Sequence, residues 1–340
     1  MDKKSLFSEI KALSMINSFS KHEQLVQGII NGLNHKMIAR GDILPSVNEM
    51  MRETGFAKET IGKAYKELIK RGILESKNRR GYFVATDNTE QHLKVCLLMY
   101  AFDTFQETFY QHFRNHLGEH IQVDVYFHHN NFSVFESIIN NNKGQYGLYV
   151  IAPMESKEAI DLLEELPKDK LLIVDRYVKL KGDYSYIVQE FKKASYNAFE
   201  ALAPQIKKFS EFVFFFKPSS AEPEEVLVAF KKFIKAYNIN GKIKNHYESG
   251  SIEAGKVYFT IHNLELWEIL KDAKVKGLQV GKDLGILSHN DDNVKEIIFD
   301  GITTFSIDFA EMGRLAAEFV LSLTPVAVVM ENKLIRRNSL

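Results

Sequence analysis

The spacing of apolar and polar positions changes character once along this chain, near residue 90. Before that point apolar residues recur at helical intervals. Leu25, Val26, Ile29, Ile30 and Leu33 predict a helix over 21–36, and Ile61, Ala64, Tyr65, Leu68 and Ile69 predict another over 58–71. Between them Pro45 and Ser46 are start signals for a short helix, because Pro fits before a first turn and a Ser hydroxyl can cap open backbone N–H groups. Gly55 is its stop, able to take the left-handed backbone of a tight turn. Gly72 ends the next helix, and 73–76 and 82–84 predict two short strands around a basic tip, Lys77, Asn78, Arg79, Arg80 and Gly81. Residues 39–42 are a turn, and 1–17 carry no clear pattern.

From residue 93 onward short apolar runs alternate with helical stretches, which argues for parallel sheet with crossover helices, an α/β class. Strands are predicted at 95–100, 121–127, 147–151, 171–174, 186–189, 212–216, 257–260 and 286–288, with 303–305 leading into a last helix over 310–322. Intervening helices are predicted at 105–117, 132–141, 156–165, 224–237 and 263–274, and one follows 189 through Leu202. Two βαβ lobes in succession, with late crossings near 189 and 302, are expected. The organisation read from this is a small head over 1–86, mostly helical and closed by two short strands, a polar linker over 87–92 and a two-lobed body over 93–340.

Charge sharpens that division. The 340 residues carry no formal net charge, yet residues 1–86 hold 15 Lys and Arg against 9 Asp and Glu, leaving 29 against 35 for the remainder. A basic head on an acidic body suits a phosphate-binding module. The single cysteine, Cys96, sits in an apolar run and is expected to pack rather than react, and it allows no intramolecular disulfide. No leader or membrane span is visible, so a cytoplasmic location is expected.

Helix, turn, helix and hairpin is the winged helix-turn-helix plan, whose second helix enters the DNA major groove. Residues 18–86 resemble the head of the GntR family of bacterial transcription regulators, through Leu44-Pro45-Ser46, the Gly55 turn and Gly81-Tyr82-Phe83-Val84. Asn48 stands where that family usually has a DNA-contacting Arg, Lys58 replaces the usual Arg opening the recognition helix, and Arg79 takes the place of a wing Gly. The resemblance and the basic side chains together give Ser46, Lys58, Thr60, Lys63, Arg79, Arg80 and Gly81 as candidate DNA contacts, with Lys66 on the same outer side.

Residues 93–340 resemble the effector domain of LacI-type regulators, which share the periplasmic-binding-protein fold. The resemblance rests on 171–176 (Leu-Leu-Ile-Val-Asp-Arg), 281–291, and Ile302 to Phe305 followed by Glu311-Met312-Gly313-Arg314. Where the family has a Gly-rich loop, this chain has Lys217-Pro218-Ser219-Ser220. In such folds a ligand binds at the carboxyl ends of the strands, between the lobes. Candidate effector contacts are Phe102, Asp103, Phe105, Asp175, Arg176, His262, Asn263, Asn290 and Asp291. They supply aromatic faces, plus carboxylate, guanidinium and amide groups suited to vicinal hydroxyls.

Those groups include no cluster of cations for a phosphate, so a monosaccharide is the expected effector. His112 and His116 are spaced to share a metal on a helix, with His120 following, but no carboxylate partner is spaced to help, and no metal is expected. No nucleotide fingerprint or nucleophile elbow appears, so neither a cofactor nor catalysis is expected, and a pyridoxal-phosphate body would need more residues than remain. The reading is a sugar-controlled repressor, a homodimer on an inverted-repeat operator in double-stranded DNA. The competing reading is a regulator whose body only dimerises or binds protein.

Overall fold

A computed structural model describes residues 2–13, 20–78, 80–86, 93–118, 121–218 and 222–340. The expected linker over 87–92, Arg79 and His120 lie outside the described residues.

Among its described residues the head holds four helices and one hairpin: α1 (Lys3–Ala12), α2 (Lys21–Asn34), α3 (Val47–Thr54), α4 (Lys58–Lys70), β1 (Leu74–Lys77) and β2 (Gly81–Val84). Ser20 and Glu23 close a capping box at the start of α2. The Ser46 hydroxyl accepts the Glu49 N–H at 3.2 Å, and Gly55 takes φ 73° at the end of α3. Strands β1 and β2 pair antiparallel, Leu74 opposite Val84 and Lys77 opposite Gly81. The Tyr65 hydroxyl, buried in the core, donates to the Pro45 carbonyl at 2.7 Å and so fixes the recognition helix α4 against the start of α3. Helix α1 carries only two fully buried side chains, Leu6 and Ile10, which rest on α2. It packs there because Gly28 has no side chain: a Cβ at that position would lie 2.5 Å from Ile10 Cγ1.

The body begins with β3 (Leu93–Met99), α5 (Thr104–Leu117), β4 (Ile121–Phe127), α6 (Phe132–Asn142), β5 (Leu148–Ile151), α7 (Lys157–Glu164), β6 (Leu171–Asp175) and β7 (Ser185–Gln189). It continues with α8 (Phe191–Ala201), α9 (Ala203–Ile206), β8 (Glu211–Phe215), α10 (Glu224–Tyr237), β9 (Gly241–Lys244), β10 (Lys256–Thr260), α11 (Asn263–Lys276) and β11 (Gly285–His289). The last elements are α12 (Asn293–Ile297), β12 (Thr303–Ser306), α13 (Phe309–Ser322), β13 (Ala327–Met330) and β14 (Lys333–Ile335).

Two sheets of six strands result. The first runs β13-β7-β6-β5-β3-β4 and is parallel throughout. The second runs β14-β12-β11-β10-β8-β9, parallel except where β14 meets β12. The chain passes from the first lobe to the second after β7, returns through α13, which packs on α5, and leaves again between β13 and β14. There are therefore three crossings. The second lies after Ser306, a few residues beyond the expected 302, and the third follows Met330. The second lobe's core is a stack of phenylalanines, with Phe199 meeting Phe212, Phe230, Phe233, Phe259 and Phe305. Cys96 is buried in the first lobe, and burial pushes its thiol up to about 12.

The head rests directly on the first lobe. The Lys70 carbonyl lies against Gly147 at the entrance of β5, where a Cβ would come within 2.0 Å of that oxygen. Among the described residues no helix is long and apolar enough to cross a membrane.

Candidate functional site

In a parallel α/β sheet the loops after each strand gather at one edge, and here the two sheets present those edges to one another. The space between them is a cleft of ≈ 870 Å³. Tyr100 to Gln106 enter it after β3, His128 and Asn130 after β4, Ala152 to Ser156 after β5, and Asp175 and Arg176 at the end of β6. The second lobe contributes Glu222, His262, Asn263, Trp267, His289 and Asn290.

Of the nine side chains expected to meet an effector, the structure brings Phe102, Asp103, Phe105, Asp175, Arg176, His262, Asn263 and Asn290 to this cleft. Asp291 is a correction: it is turned away. Asn290 takes φ 60°, and the next carboxylate then accepts both Arg337 nitrogens, at 2.6 and 2.8 Å, and the Thr304 hydroxyl at 2.7 Å. Burial works against its charge, and those hydrogen bonds outweigh it, holding the carboxyl below the ordinary range. Asp291 thus fastens the C-terminal tail beneath the cleft.

The polar groups of the cleft are held by neighbours. Arg176 Nη1 lies 3.4 Å from Glu155, and its guanidinium sits 5.7 Å from the centroid of the Phe191 ring. Asp175 has φ 70° and accepts the Gln189 amide at 2.5 Å. Desolvation raises its carboxyl above the ordinary value, against the pull of Arg176 and Gln189. Glu222 accepts the Lys217 N–H at 2.7 Å and lies 3.3 Å from His262 Nε2. Burial lowers His128 to about 4 and His289 to about 3, so both imidazoles are neutral at physiological pH. Among the described residues a hydrogen bond spans the cleft mouth, from the Thr104 hydroxyl of the first lobe to Asp292 of the second, at 2.9 Å. Asn263 reaches the same carboxylate oxygen at 3.4 Å. The arrangement offers hydroxyl-binding side chains on both walls and aromatic faces at Phe102, Phe105 and Trp267, the composition of a polyol site.

Sequence reasoning missed Tyr100, His128, Glu155, Glu222, Trp267 and His289. The strand-end rule points at His128 and His289, each at or just past a strand's last residue. Trp267 lies one helical turn beyond Asn263, the position a helix uses to reach the same wall.

In the head, Lys58, Lys63, Lys66, Arg80 and Gly81 are exposed, Thr60 is half-buried, and Arg79 lies outside the described residues. Lys63 pairs with Glu59 at 2.9 Å along the same helix. Away from the cleft, His112 and His116 stack on α5 with centroids 6.4 Å apart, and His116 Nδ1–H donates to the His112 carbonyl. No cluster of three or more metal-ligating side chains occurs among the described residues.

Comparison with known proteins agrees with this division. Bacterial regulatory proteins of the gntR family match residues 21–84, and a periplasmic binding protein-like domain matches 207–340. The HTH-type transcriptional regulator KdgR of Bacillus subtilis (strain 168) is 24% identical over 223 residues, 57% of this chain. The match spans 63% of that relative's length. Among solved structures, a LacI family transcriptional regulator from Lactobacillus casei with bound sucrose superposes with a TM-score of 0.62 at 15% identity, over 73% of this chain and 99% of that one. The LacI family regulator CCPA from Weissella paramesenteroides, also with bound sucrose, gives 0.56 at 16% identity, over 72% and 98%. At such identities the likeness establishes the fold of the body. The chain therefore joins a winged helix-turn-helix head that matches the gntR family over 21–84 to a two-lobed body with a periplasmic-binding-protein-like fold.

Proposed function

We propose that this protein is a transcription repressor of the bacterial cytoplasm, working as a homodimer on an inverted-repeat operator and released from it when a small sugar occupies the cleft. The observation that carries the reading is the coexistence, in one chain, of an exposed basic recognition helix and an ≈ 870 Å³ cleft walled by hydroxyl-binding groups. In the head, Lys58 and Thr60 face bases or phosphates, Ser46 and Lys63 take phosphates, and Arg79, Arg80 and Gly81 are the proposed contacts to the backbone or minor groove. A single winged helix covers one half-site, so a two-fold pair reads an inverted repeat.

In the body, Asp175 and Arg176 approach the effector from one wall and Asn263, His262 and Asn290 from the other. Phe102, Phe105 and Trp267 offer ring faces, and Asp103 lies at the opening of α5. The relatives named above support this reading, since one is an HTH-type transcriptional regulator and two, LacI family transcriptional regulators, hold sucrose. A ligand acts on DNA binding only through unequal affinity for two body conformations, and closure of the lobes about the three crossings is the available pair.

The test is calorimetry with pentoses, hexoses, sugar acids and sugar phosphates, on wild type and Asp175→Ala. A sugar that binds wild type and loses affinity in the variant is expected. Equal binding to both removes Asp175 from the site, and silence across the panel favours a body that only dimerises or binds protein.

A further inference from the structure

Three histidines line the cleft, and the two buried ones, His128 of the first lobe and His289 of the second, differ in their hydrogen bonding. His128 is satisfied within its own lobe: Nε2–H donates to the Ala152 carbonyl at 3.2 Å, and Nδ1 accepts the Asn130 N–H at 3.2 Å. His289, the last residue of β11, is only 2% exposed, and neither of its ring nitrogens has a protein partner among the described residues. Its ring lies near Phe191 and Phe305, with centroids 5.9 and 4.9 Å away, where the chain first crosses between lobes. Another unpartnered buried oxygen of the cleft lining is Asn290 Oδ1, on the next residue.

A neutral imidazole carries one donor and one acceptor, and burying both without partners is costly. Were the ring needed only for packing among phenylalanines, a phenylalanine would pack there without that cost. The sugar reading of the cleft supplies what is absent from the protein's own groups. A hydroxyl is a donor and an acceptor at once, so it can answer an imidazole on either nitrogen and still donate to an amide oxygen. An ionised carboxylate or phosphate only accepts. It would leave the imidazole acceptor and Asn290 Oδ1 unmet, whatever attraction the neighbouring Arg176 and Lys295 offer it.

We propose that His289 is an effector contact that reads hydroxyl groups as donor and acceptor together, so that the crossing end of the cleft selects an uncharged vicinal diol over a sugar acid or a sugar phosphate. This rests on the sugar reading above and narrows it to the neutral members of that class.

The experiment is calorimetry on the full-length protein with four probes, D-glucose, D-xylose, D-glucuronate and glucose 6-phosphate, on wild type, His289→Phe and His289→Gln. Thermal unfolding of each variant checks that the second lobe is intact. A neutral sugar binds wild type best, His289→Phe weakens it by at least about tenfold, and His289→Gln, which keeps a donor and an acceptor, recovers part of the loss. Undiminished sugar affinity in His289→Phe overturns the assignment and leaves the sugar reading standing, as does a preference for glucuronate or the phosphate. Wild type binding none of the four overturns both together, which sets that result apart.

Discussion

Raising the pH probes how the second lobe holds the floor of its cleft. Lys295 is fully buried under the end of β11, and its ammonium donates to the carbonyls of His289 and Asn290 at 3.1 and 2.8 Å. Burial lowers its pKa from 10.5 to about 8, against the attraction of Asp292, Asp291 and Asp103. The folded value lies below the unfolded one, so between them the unfolded chain binds more protons and stability rises with pH. Below about 8 both states are protonated and this contribution is flat. The whole displacement corresponds to about 3 kcal/mol, of which about 1 kcal/mol is released between pH 8 and 9.

The assay is urea unfolding followed by the fluorescence of Trp267, the chain's single tryptophan, which sits in the same lobe on α11. Comparing wild type with Lys295→Met at each pH removes the opposing slope from Cys96, whose raised thiol loses stability as pH climbs. The stability of wild type relative to the variant grows by about 1 kcal/mol from pH 8 to 9. A difference that stays constant over that interval refutes the reasoning, since it would mean that Lys295 is not a desolvated ammonium.

Three further outcomes depend on particular side chains. Thr104→Val removes the bond across the cleft mouth and speeds effector dissociation about 2- to 10-fold, read by stopped-flow Trp267 fluorescence; an unchanged rate would count against closure at this point. Gly147→Ala puts a methyl group where the Lys70 carbonyl rests, so the head must shift. Effector affinity of the free protein is retained while the effector's influence on operator binding shrinks, measured by fluorescence anisotropy with labelled operator, and full coupling in the variant would show that this docking is not the route. Lys58→Ala with Arg80→Ala weakens binding to all DNA sequences and lowers the slope of log affinity against log salt by about 1 for each phosphate no longer neutralised; unchanged operator affinity removes both residues from the interface.

Much of the architecture is legible in the residues because each signal is local. Pro45, Ser46, Gly55 and Gly72 punctuate the head, and uninterrupted apolar runs as short as 95–99 and 212–216 suit strands buried on both faces. The elements that escaped depend on partners distant in sequence. Helix α1 is recognisable only once Gly28 is seen to make room for Ile10, and β9, with Lys242 and Ile243 exposed, is an edge strand lacking an apolar signature. The third crossing escaped for the same reason, because β13 and β14 are short and take their sheets from pairing with β7 and β12. In the cleft, position at a strand's end locates Asp175, Arg176 and Asn290, whereas orientation does not follow from it. Asp291 is turned aside by Arg337, 46 residues away in sequence, a pairing no local pattern announces.

Reciprocity between the cleft and the DNA-binding head can be measured outright. Sugar affinity, for whichever sugar the calorimetric panel identifies, is determined with the protein free and again saturated with operator duplex, and operator affinity is determined with and without that sugar. The operator is expected to weaken sugar binding by the same factor by which the sugar weakens operator binding, within about 5- to 150-fold. Sugar affinity that is identical with and without operator would contradict control of the head by the cleft.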